Sequence, residues 1–351
     1  MNYSDNNMKW FPVLFATDEN YAMQTFVALT SLIQNNTNNP LDIYVLLPKR
    51  FPDPVASQYE LLTQHNSVKI NFVEMGTAFS DIEMRIPHIT SPTYYRLLAA
   101  EILPQYSKCL YLDSDVIVKE DLAELFSFDL DDHYVAGVKA PAYIVKNDIN
   151  DRHCRELGIP SSDQYINCGV LLMNLDVIRR NKLTESFVAL SRNAYSSQDQ
   201  DVINAACYDH IFHLPFRYNV MTKYLNTTEK AVRVFGEHAV DSAIAHPYII
   251  HYADRIKPWT DVDIPFAFDW WSYALKTPYA KQQWEILAHN YAVVKESLNE
   301  KSKTISLLEK EIRGIHASRS YRIGRFITFP LRKVREYRQR LKPNRKKPGV
   351  H

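Results

Sequence analysis

The sequence has 351 residues, 46% hydrophobic and 23% charged, with 8 Gly and 18 Pro, a composition of ordinary globular chains that excludes disordered and fibrous classes. Its net charge of +1 conceals an asymmetry: residues 312–351 hold 13 Lys and Arg against the single acid Glu336, making that stretch +12 and the remainder −11. The acidic body argues against wholesale nucleic-acid binding, while the basic end seeks an anionic surface.

The start Met1-Asn2-Tyr3-Ser4-Asp5 lacks the basic and apolar regions of a signal peptide, and no run of 18 apolar residues occurs, so a cytosolic chain is expected. Elements then alternate in type. Strand-like runs at Phe11–Phe15, Leu41–Leu47, Val68–Val73 and Cys109–Leu112 are separated by helical patterns at Ala22–Gln34, Pro54–Gln64 and Thr93–Ala100. This βαβα rhythm predicts an α/β fold with a mostly parallel sheet flanked by helices. Cys109, Cys154, Cys168 and Cys207 show no C-x-x-C spacing, which favours reduced thiols over zinc or disulfides.

From Trp284 to Ile315, apolar residues recur mostly three or four apart, with Ser302 interrupting. They predict a long amphipathic helix that projects or self-associates, or else two packed helices. Beyond it, Leu331, Val334, Tyr337 and Leu341 alternate with Arg332, Lys333, Arg335, Arg338 and Arg340 as in a basic amphipathic helix, although like-charge blocks also occur as solvated tails. Each Lys or Arg near an anionic leaflet contributes about 1 kcal/mol, enough in sum to hold a protein on a membrane. The expected organisation is therefore a catalytic domain over residues 1–280, a helical stem over 281–316 and a basic membrane-associating tail over 317–351.

In open α/β sheets chemistry sits just beyond the carboxyl ends of strands. Two polar segments occupy such places: Thr17-Asp18-Glu19-Asn20 and Asp113-Ser114-Asp115. Carboxylates at i and i+2 beyond a buried strand can share a hard divalent cation such as Mg²⁺ or Mn²⁺. The D-x-D pattern alone is weak, since Asp129/Asp131, Asp199/Asp201 and Asp261/Asp263 repeat it. Only Asp113-Ser114-Asp115 lies between apolar runs, Lys108–Leu112 and Val116–Val118, as a sheet rim requires.

These segments, together with Phe15–Tyr21, Tyr94–Leu97, Asn167–Leu175, Asp199–Asp201 and His251–Trp259, resemble glycosyltransferase family 8, the retaining galactosyl- and glucosyltransferases related to glycogenin. The resemblance runs from about residue 11 to 260 and implies a GT-A nucleotide-diphospho-sugar transferase fold with a C-terminal helical extension. It implies Asp113, Asp115 and His251 as metal ligands, the imidazole favouring Mn²⁺ over Mg²⁺. It also implies Lys257 on the donor diphosphate, and Ala16, Asp18, Asn20, Arg96, Ser114 and Asn167 around the donor. Asp199 would bind sugar hydroxyls, and the Gln200 amide oxygen would lie beneath the anomeric carbon.

Plainer roles exist for the same residues. Asp18 and Asn20 are apt turn caps, Arg96 an ion-pair partner, Lys257 a surface charge and His251 a core histidine. Retention by front-face attack, in which the departing phosphate oxygen takes the acceptor proton, needs no strong protein base. None is evident, and neither is a catalytic triad, a P-loop or a dinucleotide fingerprint. One departure is Asp254, where the family generally has Gly: either the loop turns this carboxylate away from the diphosphate or donor binding suffers.

The expected function is metal-dependent transfer of galactose or glucose from UDP-galactose or UDP-glucose to a lipopolysaccharide or other lipid-linked or surface glycan, with the irregular stretches 76–93 and 141–163 including the expected acceptor-facing loops. The protein would be attached peripherally at the inner face of the plasma membrane and could self-associate through residues 284–315. The rivals are a non-catalytic glycan- or partner-binding protein on a decayed scaffold and a metal-dependent phosphohydrolase. The latter needs a nucleophilic Asp or water-activating cluster that is not apparent.

Overall fold

The computed structural model describes residues 10–64, 67–82, 91–144 and 148–317. The basic tail expected over 317–351 lies outside these apart from Ala317, as do residues 83–90 and 145–147 of the expected acceptor loops. Strands β1 (Phe11–Ala16), β2 (Leu41–Leu47), β3 (Val68–Glu74), β4 (Lys108–Leu112), β6 (Val135–Lys139), β7 (Ile166–Asn174) and β8 (Ile211–His213) form a seven-stranded sheet ordered β3-β2-β1-β4-β7-β6-β8. A second sheet joins β5 (Val116–Val118), β10 (Ile249–His251) and β9 (Val220–Met221) in that order.

The first four strands follow the predicted alternation and pair in parallel, because the connections carry helices such as α1 (Ala22–Asn35) across a sheet face. Period-two geometry then divides the apolar residues. Val13, Phe15, Leu110, Leu112, Val170 and Leu172 enter one buried cluster, and Leu14, Cys109, Tyr111, Leu171 and Met173 another. Both faces are covered, so the strands read as continuous apolar runs. Strand β7 runs antiparallel to both β4 and β6. A run buried along nearly its whole length has no sequence period that reports direction.

Helical pattern 93–100 is realised as Pro92–Tyr95, a 3₁₀ turn at Arg96–Leu98 and Ala99–Ile102. Three further helices are α2 (Asp148–Leu157), α3 (Gln198–Ala206) and α4 (Ala267–Ala274). The stem is one continuous helix, α5 (Ala280–Ala317), and not two packed ones. The chain divides into two compact units, one up to Leu287 and one from Ala288. All four cysteines are free and buried.

Candidate active site

Strands β1 and β4 end side by side, which brings Ala16, Thr17 and Asp18 next to Asp113-Ser114-Asp115. Thr25 on α1 fastens the two segments: its Oγ1 lies 2.8 Å from both Thr17 Oγ1 and Ser114 Oγ. The chain continues from Asp115 into β5, and β10 pairs antiparallel to β5 with His251 opposite Val116. This pairing, between residues remote in sequence, delivers the imidazole to the carboxylates. The other D-x-D segments do different work. Asp129 and Asp261 accept hydrogen bonds from the backbone of Asp131 and Asp263 in exposed turns, and Asp199 and Asp201 are built into α3.

A cleft of about 250 Å³ opens over these residues, lined by Ala16, Asp18, Arg96, Asp113, Ser114, Asp115, Asn167, His251 and Lys257 among the predicted set. Each carboxylate has one oxygen held by protein. Asp113 Oδ1 accepts from Arg96 Nη2 at 2.9 Å and from the Tyr111 hydroxyl at 2.8 Å. Asp115 Oδ2 accepts from Lys257 Nζ at 2.5 Å. The remaining oxygens, Asp113 Oδ2 and Asp115 Oδ1, lie 3.7 and 3.3 Å from His251 Nε2. Ligand atoms of the three residues fall within 4.8 Å of one another, so two carboxylate oxygens and an imidazole nitrogen converge as a divalent cation requires. Burial opposes the charge on Asp115, but the Lys257 ammonium outweighs it and holds the carboxyl well below the usual range.

Space for the triad comes from Gly169. A Cβ there would lie 2.2 Å from His251 Cε1 and 2.6 Å from Asp113 Oδ2, so any side chain would displace one of these two groups.

Other predicted residues take particular places. Asp18 is both cap and lining: its Oδ1 accepts from the backbone of Asn20 and Tyr21 while its side chain borders the cleft. Asn20 is exposed and lines a neighbouring groove with Lys49 and Arg50 that meets the cleft at Asp18. Arg96 is buried and donates to Cys168 O and Asp113, with its Nε 3.0 Å from Asp199 Oδ2. Asp199 and Gln200 lie behind the lining. The Gln200 amide oxygen accepts from Asn167 Nδ2 at 3.0 Å and Cys168 N at 3.2 Å. Asp254 is exposed, accepts from Arg255 N and is not a lining residue, while its charge acts on Lys223 of the lining.

Sequence reasoning missed Tyr21, Thr93, Tyr111, Asn219 and Lys223. The first three lay inside segments singled out in the sequence, without a role of their own. Lys223 had no local signal and reaches the cleft because β9 pairs with β10. Among the described residues it has no carboxylate within ion-pair distance, unlike Arg96 and Lys257. Burial lowers its pKa, with Asp254 opposing.

A model of glycosyl transferase family 8 matches residues 12–263. The chain is 23% identical over 270 residues to general stress protein A of Bacillus subtilis, covering 74% of this chain and 92% of that one. It is 25% identical over 325 residues to a lipopolysaccharide 1,2-glucosyltransferase of Escherichia coli, covering 89% and 91%. The structure of the galactosyltransferase LgtC, solved with donor and acceptor sugar analogues, superposes with a TM-score of 0.65 at 24% identity, covering 76% of this chain and 96% of that one. The likeness to LgtC shows a shared GT-A fold.

Proposed function

We propose a specific reaction for this chain, which belongs to glycosyl transferase family 8: transfer of galactose or glucose from a UDP-sugar to a lipopolysaccharide or other lipid-linked or surface glycan, with retention at the anomeric carbon. The observation that carries this reading is the convergence of Asp113, Asp115 and His251 beside Lys257 in one cleft. The lipopolysaccharide 1,2-glucosyltransferase and the galactosyltransferase LgtC support the sugar and acceptor classes by similarity.

The donor set fits a divalent cation, with the imidazole favouring Mn²⁺ over Mg²⁺. Such a cation, held by Asp113, Asp115 and His251, would offset the charge of the donor diphosphate. The chain's own groups do the rest. Lys257, and beside it Lys223, set positive charge where the leaving diphosphate gains negative charge. Asp18 and Ala16 border the nucleoside end, and Ser114 is held beneath it by Thr25. Asn167 faces the sugar, while Asp199 fixes Arg96 behind it. Attack from the face of the leaving group lets the phosphate oxygen take the acceptor proton, so no protein base is needed.

We place the enzyme at the inner face of the plasma membrane, held by the 13 Lys and Arg of residues 312–351 against anionic lipid. Exposed Ile305, Leu308 and Ile312 on α5 support self-association through the stem.

The test incubates purified protein with a panel of UDP-sugars, with Mn²⁺ or EDTA, beside Asp115→Asn, and follows UDP release. Release from UDP-galactose or UDP-glucose that needs Mn²⁺ and falls on the order of 100-fold in the variant is the expected result. Release indifferent to EDTA overturns the cation's role. No turnover of any donor moves the reading to a non-catalytic binding protein.

A further inference from the structure

Beneath the cleft a line of side-chain amides connects His251 to Gln200, and its polarity can be read without assuming which end of each amide is oxygen. A backbone N–H can only donate. Gly169 N lies 3.1 Å from one terminal atom of Asn167, and Cys168 N lies 3.2 Å from one terminal atom of Gln200. Both of those atoms must therefore be oxygens. The two assignments agree, since the nitrogen of Asn167 then donates to the Gln200 oxygen at 3.0 Å.

Asn219 is 2.8 Å from the fixed Asn167 oxygen, so the atom it presents there is its nitrogen. Its oxygen is thereby turned to His251 Nδ1, at 2.9 Å. An amide oxygen only accepts, so Nδ1 carries a hydrogen and Nε2 is left facing Asp113 and Asp115. Asn219 is fully buried and His251 nearly so, which removes bulk water as a competing partner.

We infer that Asn219 is a positioning residue that presents His251 Nε2 to the two carboxylates, with its polarity imposed through Asn167 by the backbone N–H of Gly169. The inference rests on the proposed cation site. It gives a non-ligating amide the outer role that orients a metal-binding imidazole and selects its tautomer. It also ties the cation end of the cleft to Gln200 behind the lining, because the same Asn167 serves both.

Two variants of the full chain separate this role from simple packing. Asn219→Asp keeps an acceptor for Nδ1–H but cannot donate to Asn167. Asn219→Leu supplies neither. Nitrogen-15 correlation spectra of the metal-free protein, at a pH where the ring is neutral, should show His251 in the Nδ1–H form in the unaltered chain and in Asn219→Asp, and lose that preference in Asn219→Leu. Mn²⁺ binding, followed by the spin-resonance signal of unbound Mn²⁺, should weaken about 10- to 100-fold in Asn219→Leu and stay near the unaltered value in Asn219→Asp.

A folded Asn219→Leu protein with the Nδ1–H ring and undiminished Mn²⁺ affinity overturns the inference, as does equal weakening in both variants. An unaltered chain that binds Mn²⁺ with an Nε2–H ring also overturns it and leaves the cation site standing. An unaltered chain with the Nδ1–H ring that takes up no divalent cation overturns the cation site, and with it the role given to Asn219.

Discussion

Asp199 sits wholly inside the protein, with Thr93 Oγ1 donating to one carboxylate oxygen at 2.8 Å and Arg96 Nε 3.0 Å from the other. Burial outweighs Arg96 and pushes its pKa up to about 6. A carboxyl raised in the folded state stabilises the fold below its unfolded pKa and loses that contribution as pH rises through the folded value. The stability of the unaltered chain should thus fall, relative to Asp199→Asn, by roughly 2–3 kcal/mol between pH 4 and pH 7. Urea unfolding at several pH values checks this, and parallel profiles for the two proteins would refute it. Asp199 was legible in the sequence as part of a quoted segment. Its pairing with Arg96 was not, because the partners lie about 100 residues apart and meet only when α3 packs behind β7.

At the scale of elements, α4 props the segment that carries His251 and Lys257. Trp270 is fully buried, tilted against Trp259 at 5.3 Å and edge-on to Trp271 at 5.1 Å. Trp271 Nε1 donates to Pro258 O, and the Tyr252 hydroxyl donates to Phe266 O. Removing the central ring with Trp270→Ala should cost about 3–5 kcal/mol by the cavity it leaves. Trp270→Phe should cost less, since it also removes a buried Nε1 that has no hydrogen-bond partner among the described residues. Equal losses in denaturant unfolding would show that the ring does not carry this packing. The same elements mark where pattern reading stops. β1, α1, β2, β3 and β4 follow from periodicity to within a residue or so at each end. β5, β9 and β10 are two or three residues long and have no period, so the sheet that delivers His251 and Lys223 had no signature of its own.

For the molecule as a whole, charge is divided between an acidic body and a basic end, and no helix among the described residues is long and apolar enough to cross a membrane. The proposed attachment to anionic lipid through residues 318–351 has a direct test. Their removal should abolish co-sedimentation with anionic liposomes at moderate salt while leaving UDP release in solution intact, and undiminished liposome binding would refute the tail's role.

By itself the sequence determined the class of fold, because buried strands and amphipathic helices write their burial into local spacing. It also determined which residue types were available, since D-x-D after an apolar run and a histidine followed by lysine are local patterns. Only the tertiary structure decided which oxygen of each carboxylate is already held, that Asp254 lies exposed outside the cleft lining, and that Asn219 and Lys223 stand at the site. Hydrogen-bond polarity and charge pairing depend on groups far apart in the chain, as Lys257 and Asp115 are at 142 residues, and no local pattern encodes contacts that exist only once the sheets have assembled.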